Sequence, residues 1–233
     1  MSIFITATGT DIGKTMIALS IMVKYGIGNK LLYWKPVQTG IDDNSQPSDS
    51  DTIANCLNDS SCILPEGYKF IYPASPHLSA SKENSEVSLE FLNLFWDRYK
   101  SQAKLIGQEI IVEGAGGIMV PLNRKTLTID WIHELNIPVL LVVSTSLGTI
   151  NHSLMSLEML RNRNIPVIGF FGYGEMSDIW IDSKDIISEI SGFPCLGEFF
   201  VPKINGEILK KDKLFQYIHK YFDTEEKLSG LIH

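Results

Sequence analysis

Near its start the chain reads IFITATGTDIGKT, from Ile3 to Thr15, an apolar strand that breaks into a Gly-Thr-Asp turn and ends in Gly-Lys-Thr. Bare backbone, a cation and a hydroxyl at one point suit a phosphate chain. Glycines let backbone N–H groups approach phosphate oxygens, and a helix beginning near Gly13 turns its positive end toward them. Lys14 would neutralise the β- and γ-phosphates, and the Thr15 hydroxyl would hold Mg²⁺. Strand, loop and helix follow one another as this motif requires. The strict pattern wants glycine where the chain has Thr8, and here it comes one residue later, at Gly9.

Three further strand ends supply matching chemistry. YWKPVQTG puts Lys35 at the end of a second strand, on the same sheet edge as the phosphate loop, although a lysine there also reads as an ordinary surface cation. Asp51, in SDSDTIANCL, starts a helix, where an acidic residue also simply complements the dipole. IIVEGAGGIMVP ends a buried strand in Glu113 and then offers Gly-Ala-Gly-Gly backbone. A carboxylate directly after such a strand is costly to desolvate unless it is paired or bound to metal. Thr15, Asp51 and Glu113 together would form an oxygen-rich Mg²⁺ site completed by phosphate and water. Lys14 and Lys35 add two cations beside it. This is equipment for phosphoryl transfer.

These residues must be positioned by a scaffold, and the pattern of runs indicates which. Apolar strand-like segments at Ile3–Thr8, Leu31–Lys35, Glu109–Glu113, Pro138–Val143, Pro166–Phe171 and Cys195–Gly197 alternate with helical patterns. Several strands are apolar on both faces, which points to a parallel sheet covered on both sides. After the phosphate loop, Met16, Leu19 and Val23 form one helical row and Ile17, Ile21 and Tyr25 another, ended by Gly26. Further helices are expected at Asp49–Leu57, Ser88–Lys104, Thr149–Asn162 and Ser183–Ser191. The expected fold class is α/β, a doubly wound and mostly parallel sheet with helices on both faces, one nucleotide-binding domain over residues 1–233. Gly40–Ser50, polar and irregular, reads either as a solvated loop or as a mobile lid over the site.

Composition narrows the function class. The net charge of −7 opposes nucleic acid as a partner, since a phosphate-tracking surface wants a basic excess. No run approaches the ~20 apolar residues of a membrane span, and no cationic leader precedes the first strand. Cys56, Cys62 and Cys195 form no C-x-x-C pair and read as free thiols of a reducing compartment, so a cytoplasmic protein is expected.

Taken in order, TGTDIGKT, KPVQTG, SDSDTIA, SPHLSA, VEGAGGIMVPL and LGTINHSL resemble the dethiobiotin synthetase family over residues 3 to about 155, with IPVIGFF and LGEFFVP extending the likeness. The resemblance implies an ATP-dependent ligase that closes a ureido ring from 7,8-diaminopelargonate and CO2 or bicarbonate, with Mg²⁺. It implies that Lys35 contacts a carbamate and the transferring phosphate and that Lys14 stabilises charge at the β/γ bridge. The nucleotide would contact Asp11, Ile12, Gly13, Lys14, Thr15 and Met16, with Asp51 and Glu113 beside its phosphates. The Gly114, Ala115, Gly116 and Gly117 backbone would donate to the carbamate or phosphate. Thr39 and Gly117 would face the substrate. Leu147, Gly148 and Asn151 would meet its carboxylate from the neighbouring subunit of a homodimer, where a helix N-terminus suits an anion. His152 and His77 read as structural. Where the family often has an asparagine that reads adenine, this chain has Tyr173, which either stacks on a base or packs. Phe200, Val201 and Pro202 are the expected surroundings of the base.

Two rivals share parts of this site. A related amidating or cyclising ligase would keep the phosphate loop and metal ligands without KPVQTG and LGTINH together. An ATPase switch typically has a second lysine at the start of the loop, where this chain reads TATGTD. Its tail, KLFQYIHKYFDTEEKLSGLIH, has mixed charge and reads as a packing helix. A catalytically dead scaffold fits poorly with Lys14, Lys35, Asp51 and Glu113 all in place.

Overall fold

The computed structural model describes residues 1–26, 30–41, 47–200, 203–204, 207–208 and 211–232. The chain runs β1 (Ile3–Ala7), α1 (Lys14–Tyr25), β2 (Leu31–Trp34), β3 (Val37–Thr39), α2 (Asp49–Leu57), β4 (Ile63–Leu64) and β5 (Tyr68–Phe70). It continues through α3 (Pro76–Lys82), α4 (Leu89–Leu105), β6 (Glu109–Gly117), α5 (Thr128–Leu135), β7 (Val139–Ser144) and α6 (Thr149–Asn162). The last elements are β8 (Val167–Tyr173), α7 (Asp178–Ser191), β9 (Cys195–Phe199), β10 (Lys203–Ile204), β11 (Glu207–Ile208), α8 (Lys211–Tyr221) and α9 (Ser229–Ile232).

Seven strands form one sheet in the order β4-β2-β6-β1-β7-β8-β9, and every pairing in it is parallel. This is the expected α/β sheet. β1 lies in its middle, between β6 and β7. The chain first builds the side that carries β2, β4 and β6, then crosses to β7, β8 and β9. In open sheets of this kind, ligands bind outside the carboxyl ends of strands where the winding reverses. That crevice is bounded here by the loops after β1, β2 and β6.

Strand alternation assigns each residue to a helical layer. Ile3, Ile5, Ala7, Leu31, Tyr33 and Ile111 pack with Ile17, Leu19 and Ile21 of α1 and with Leu214 and Ile218 of α8. Phe4, Leu32, Trp34, Ile110 and Val112 pack on the other face with Leu92 and Trp96 of α4 and Ile129 and Ile132 of α5. Tyr33 pairs with Ile111 across β2 and β6. The next positions on that face are Lys35 and Glu113, so the sheet delivers both to the side of α1, where Thr15 lies. On the opposite face Trp34 stacks on Trp96 at 6.2 Å and meets Tyr99 and Trp131 edge-on. Each such ring pair contributes about 0.5–1.5 kcal/mol beyond its burial, and together they fix β2 just before Lys35.

Helices α2 and α6 occupy their expected spans. α7 begins at Asp178 instead of Ser183, because the Ser177 side chain caps it by accepting from Trp180 N. SPHLSA contributes the short helix α3, with a proline in its first turn. The tail forms the packing helix α8, and Leu214, Ile218 and Phe222 are buried. Cys62 and Cys195 are free thiols. Among the described residues, no helix is long and apolar enough to cross a membrane. Residues 42–46 of the suggested lid lie outside the described residues.

The far end of α1 is tied to the C-terminal segment. Tyr25 donates its hydroxyl to Asp223 Oδ2 at 2.6 Å, and Lys24 donates to the carbonyls of Phe222 and Asp223. Asp223 also accepts from the backbone of Lys227 and Leu228. Asp223→Ala removes the carboxylate that accepts from the Tyr25 hydroxyl and from the backbone of Lys227 and Leu228, and is expected to cost about 2–4 kcal/mol of stability, measured by urea denaturation. An unchanged midpoint would show that the tail is held without this carboxylate.

Candidate active site

Five side chains from four elements and one connecting loop converge at the carboxyl edge of the sheet. The Lys35 ammonium, 4% exposed, lies 2.7 Å from Asp49 Oδ2 and 2.9 Å from Glu113 Oε1. It also donates to the Gly114 carbonyl at 3.2 Å. Thr15 Oγ1 lies 3.0 Å from Asp49 Oδ1 and 2.9 Å from Glu113 Oε1. The other oxygen of Glu113 accepts from the Tyr33 hydroxyl at 2.9 Å. Glu113 is 1% exposed, a buried carboxylate with every oxygen partnered.

The two lysines are tuned in opposite directions. Burial disfavours the charge of Lys35, but Glu113 and Asp49 outweigh it and hold the ammonium above its ordinary pKa. Asp49 likewise loses solvent, yet Lys35 and the Thr15 hydroxyl keep its carboxyl below the usual value. Lys14 is pushed below its ordinary value by burial and by the charge of Lys35. Its ammonium donates to the Gly9 carbonyl at 3.1 Å, across the phosphate loop.

That loop turns through two left-handed residues, Asp11 at φ 55 and Gly13 at φ 82. Gly13 immediately precedes α1, and a Cβ built on it would fall 2.2 Å from a ring carbon of Tyr173. Only glycine fits both the backbone angle and the ring. Tyr173, at the end of β8, therefore packs on the phosphate loop.

The donor set fits Mg²⁺. Thr15 carries one hydroxyl proton but lies within hydrogen-bond distance of two carboxylate oxygens, so three oxygens converge on a proton too few. Two carboxylates and a hydroxyl offer a partial oxygen shell that Mg²⁺ would complete with phosphate and water. Among the described residues, no three His, Cys, Asp or Glu groups gather into a metal cage of their own.

The structure corrects the choice of aspartate. Asp51 faces away: it closes a capping box with Ser48, its Oδ2 accepting from the Ser48 hydroxyl at 2.7 Å and its N–H donating back at 3.0 Å. Asp49, at the first helical position of α2, is the carboxylate that reaches Thr15 and Lys35. The backbone N–H of Asp49 is held by Gln38 Oε1 at 3.1 Å, and Gln38 Nε2 donates to the Thr39 carbonyl. Asp49, Tyr33 and Gln38 were all missed. For Tyr33 a signal existed, since it stands two residues before Lys35 and shares its face.

Most other expected residues line one cavity of about 640 Å³, among them Asp11, Gly13, Lys14, Thr15, Met16, Lys35, Thr39, Glu113, Ala115, Gly116 and Tyr173. Ile12 is half-buried and packs against the core beside α1. Gly114 presents its carbonyl to Lys35. Gly117 faces an adjoining apolar groove of about 340 Å³ that also touches Thr8, Gly9, Met119, His152 and Met155. Leu147, Gly148 and Asn151 stand outside the main cavity at the start of α6, with Leu147 87% exposed. His77 bonds to Ser75. Phe200 lines a separate polar cavity with Lys184 and Glu198. Val201 and Pro202 lie outside the described residues.

A glycine-rich loop before a helix, on a parallel sheet and with oxygen ligands at the next strand ends, defines the phosphate-loop nucleotide-binding class. A family model described as an AAA domain matches residues 1–205. Solved structures of similar fold include the MinC:MinD cell division protein complex of Aquifex aeolicus, with TM-score 0.59, 14% identity and coverage of 98% of this chain and 95% of that chain. A ParA family ATPase from Chlorobium tepidum has TM-score 0.54 at 16% identity, covering 100% and 96% of the two chains.

Sequence relatives are far nearer. The ATP-dependent dethiobiotin synthetase BioD of Leptospira interrogans is 36% identical over 236 residues, the whole of both chains. That of Brucella anthropi is 37% identical over 94% of this chain and 93% of its own, and that of Rhodopseudomonas palustris strain BisB18 is 40% identical over 84% and 85%. The chain belongs to the ATP-dependent dethiobiotin synthetases, ligases that form carbon–nitrogen bonds in biotin biosynthesis.

The geometry separates the two aspartates. Asp49→Asn, which removes a charge beside Lys35 and Thr15, is expected to lower turnover at least about tenfold, the scale of a lost charged contact. Asp51→Asn is expected to cost about 1 kcal/mol of stability or less, through its cap, and to leave turnover within about twofold. Phosphate release and thermal melts of both variants provide the check. The reverse pattern would return Asp51 to the site.

Proposed function

We propose that residues 1–233 act as one cytoplasmic nucleotide-binding domain that joins CO2 to 7,8-diaminopelargonate at the expense of ATP, and that it works as a homodimer. The observation that carries the reading is Lys35 held between Asp49 and Glu113, within reach of the phosphate loop. In the reaction one amine adds to CO2, forming the first C–N bond as a carbamate and losing a proton. A carbamate oxygen then attacks the γ-phosphorus and ADP leaves. The second amine attacks the carbon of the resulting anhydride, forming the second C–N bond, and phosphate leaves with the dethiobiotin ring closed.

The substrates supply every nucleophile, so the protein must position and neutralise several anions. Lys35 neutralises the carbamate and the transferring phosphoryl group. Lys14 leaves the Gly9 carbonyl for the β/γ-phosphates. Thr15, Asp49 and Glu113 would hold Mg²⁺, which offsets charge on the phosphate oxygens when bound. Tyr173 offers its face to the nucleotide base. The groove between Gly117 and Met155 suits the hydrocarbon chain of the substrate and opens beside Thr10 and Val120, which also line the main cavity. Leu147, Gly148 and Asn151, exposed and outside their own cavity, would meet a partner's substrate in that dimer.

The test is phosphate release by the purified chain with Mg-ATP and bicarbonate, with and without the diamine, and with the product followed by mass. Diamine-dependent release with dethiobiotin appearing is the expected result. Release without diamine would favour an ATPase switch. Lys35→Ala is expected to lower diamine-dependent release by at least about 10²-fold, the scale of a lost transition-state contact, with an unchanged melting transition. Near-normal turnover of that variant would remove Lys35 from the chemistry.

A further inference from the structure

Tyr33 has no part in the activity described above, yet its hydroxyl ends on the central carboxylate. The ring is fully buried under α1, among Ile17, Ile21 and Ile111. A phenylalanine would fill the same space, so packing alone gives no reason for the oxygen. That oxygen donates to Glu113 Oε2 at 2.9 Å, inside the protein.

The consequence is a division of labour between the two oxygens of Glu113. Oε1 faces Thr15 Oγ1 and Lys35 Nζ, both at 2.9 Å. Oε2 faces the phenol. A carboxylate is two-fold about its last bond, and that torsion is broad and soft. Lys35 and Thr15 alone would restrain one oxygen and leave the plane free to turn. A donor on the opposite oxygen, carried by a ring locked in the core, fixes the plane. A phenol serves this purpose because it remains a neutral donor throughout the working pH range and adds no charge of its own.

We propose that Tyr33 is a positioning residue that sets the Glu113 carboxylate for the divalent cation, turning Oε1 toward Thr15 and Asp49. This rests on the reading that those three residues hold Mg²⁺. Groups that orient a metal-ligating side chain typically change metal affinity by about 10–100-fold when removed.

The test uses the full chain and Mn²⁺ as the probe, with free Mn²⁺ followed by electron paramagnetic resonance in the presence of ADP. Tyr33→Phe is expected to weaken Mn²⁺ binding about tenfold while ADP binding in EDTA stays unchanged. Glu113→Gln is expected to weaken it as well, and the double variant to be no weaker than Glu113→Gln alone, because both changes act through one carboxylate. Wild-type Mn²⁺ affinity in Tyr33→Phe, with Glu113→Gln impaired, would overturn the role of Tyr33 and leave the metal reading standing. Wild-type affinity in Glu113→Gln would overturn the metal reading itself. A Tyr33→Phe chain that has lost its melting transition, or that binds metal-free ADP equally poorly, would assign the hydroxyl to the fold alone.

Discussion

Glu113 bears a charge at the end of a buried strand, and the arrangement of the site follows from meeting the cost of that charge. Moving a carboxylate out of water costs several kcal/mol even after relaxation, and stripping one partner from a buried pair typically costs about 3–5 kcal/mol. The fold answers with an ammonium at 2.9 Å, a threonine hydroxyl and a buried phenol. Each partner comes from a different element: β2 supplies Tyr33, the residue after β2 supplies Lys35, and α1 supplies Thr15. Asp49 adds a second carboxylate to the same ammonium, at 2.7 Å, so the carboxylates outnumber the ammonium they share. Such a network is a poor source of net stability, and its justification is that the same oxygens and cations are what phosphoryl transfer needs.

Much of this was legible in the sequence because it depends on period and order. Apolar strands alternating with helices gave a parallel sheet, and a sheet of this winding puts the ends of β1, β2 and β6 along one crevice. The meeting of Lys35 and Glu113 followed from their standing at the ends of such strands. What the pattern could not decide was which of two aspartates, two residues apart, turns inward. SDSD places Asp49 at the first helical position and Asp51 at the third, and the third is where a capping box closes. A closer reading of the cap would have sent Asp51 to Ser48 and left Asp49 for the site. The short strands β3, β4 and β5 were invisible for a different reason: two or three residues carry no period of their own, and only neighbours make them strands.

Fold and chemistry separate cleanly in this molecule. Chains that share the sheet at 14% and 16% identity include a cell division protein complex and a ParA family ATPase, whereas the ligases of its own family are 36–40% identical. The sheet and phosphate loop define a place for a nucleotide and say little about what its phosphate is transferred to.

The two lysines show how one small crevice keeps two cations with separate tasks. Lys35 is charge-matched by carboxylates, so its ammonium is stable without a ligand and is held above its ordinary pKa. Lys14 donates to the Gly9 carbonyl, and burial together with the like charge of Lys35 outweighs the pull of Glu113, Asp49 and Asp11 and pushes it below its ordinary value. A polyphosphate entering the loop would therefore find in Lys14 a cation whose charge it stabilises, and the gain would be realised only on binding. Lys35, already paired with two carboxylates, has less to gain from the nucleotide. The asymmetry comes from position alone: Lys35 continues the sheet face that carries Glu113, whereas Lys14 opens a helix over it.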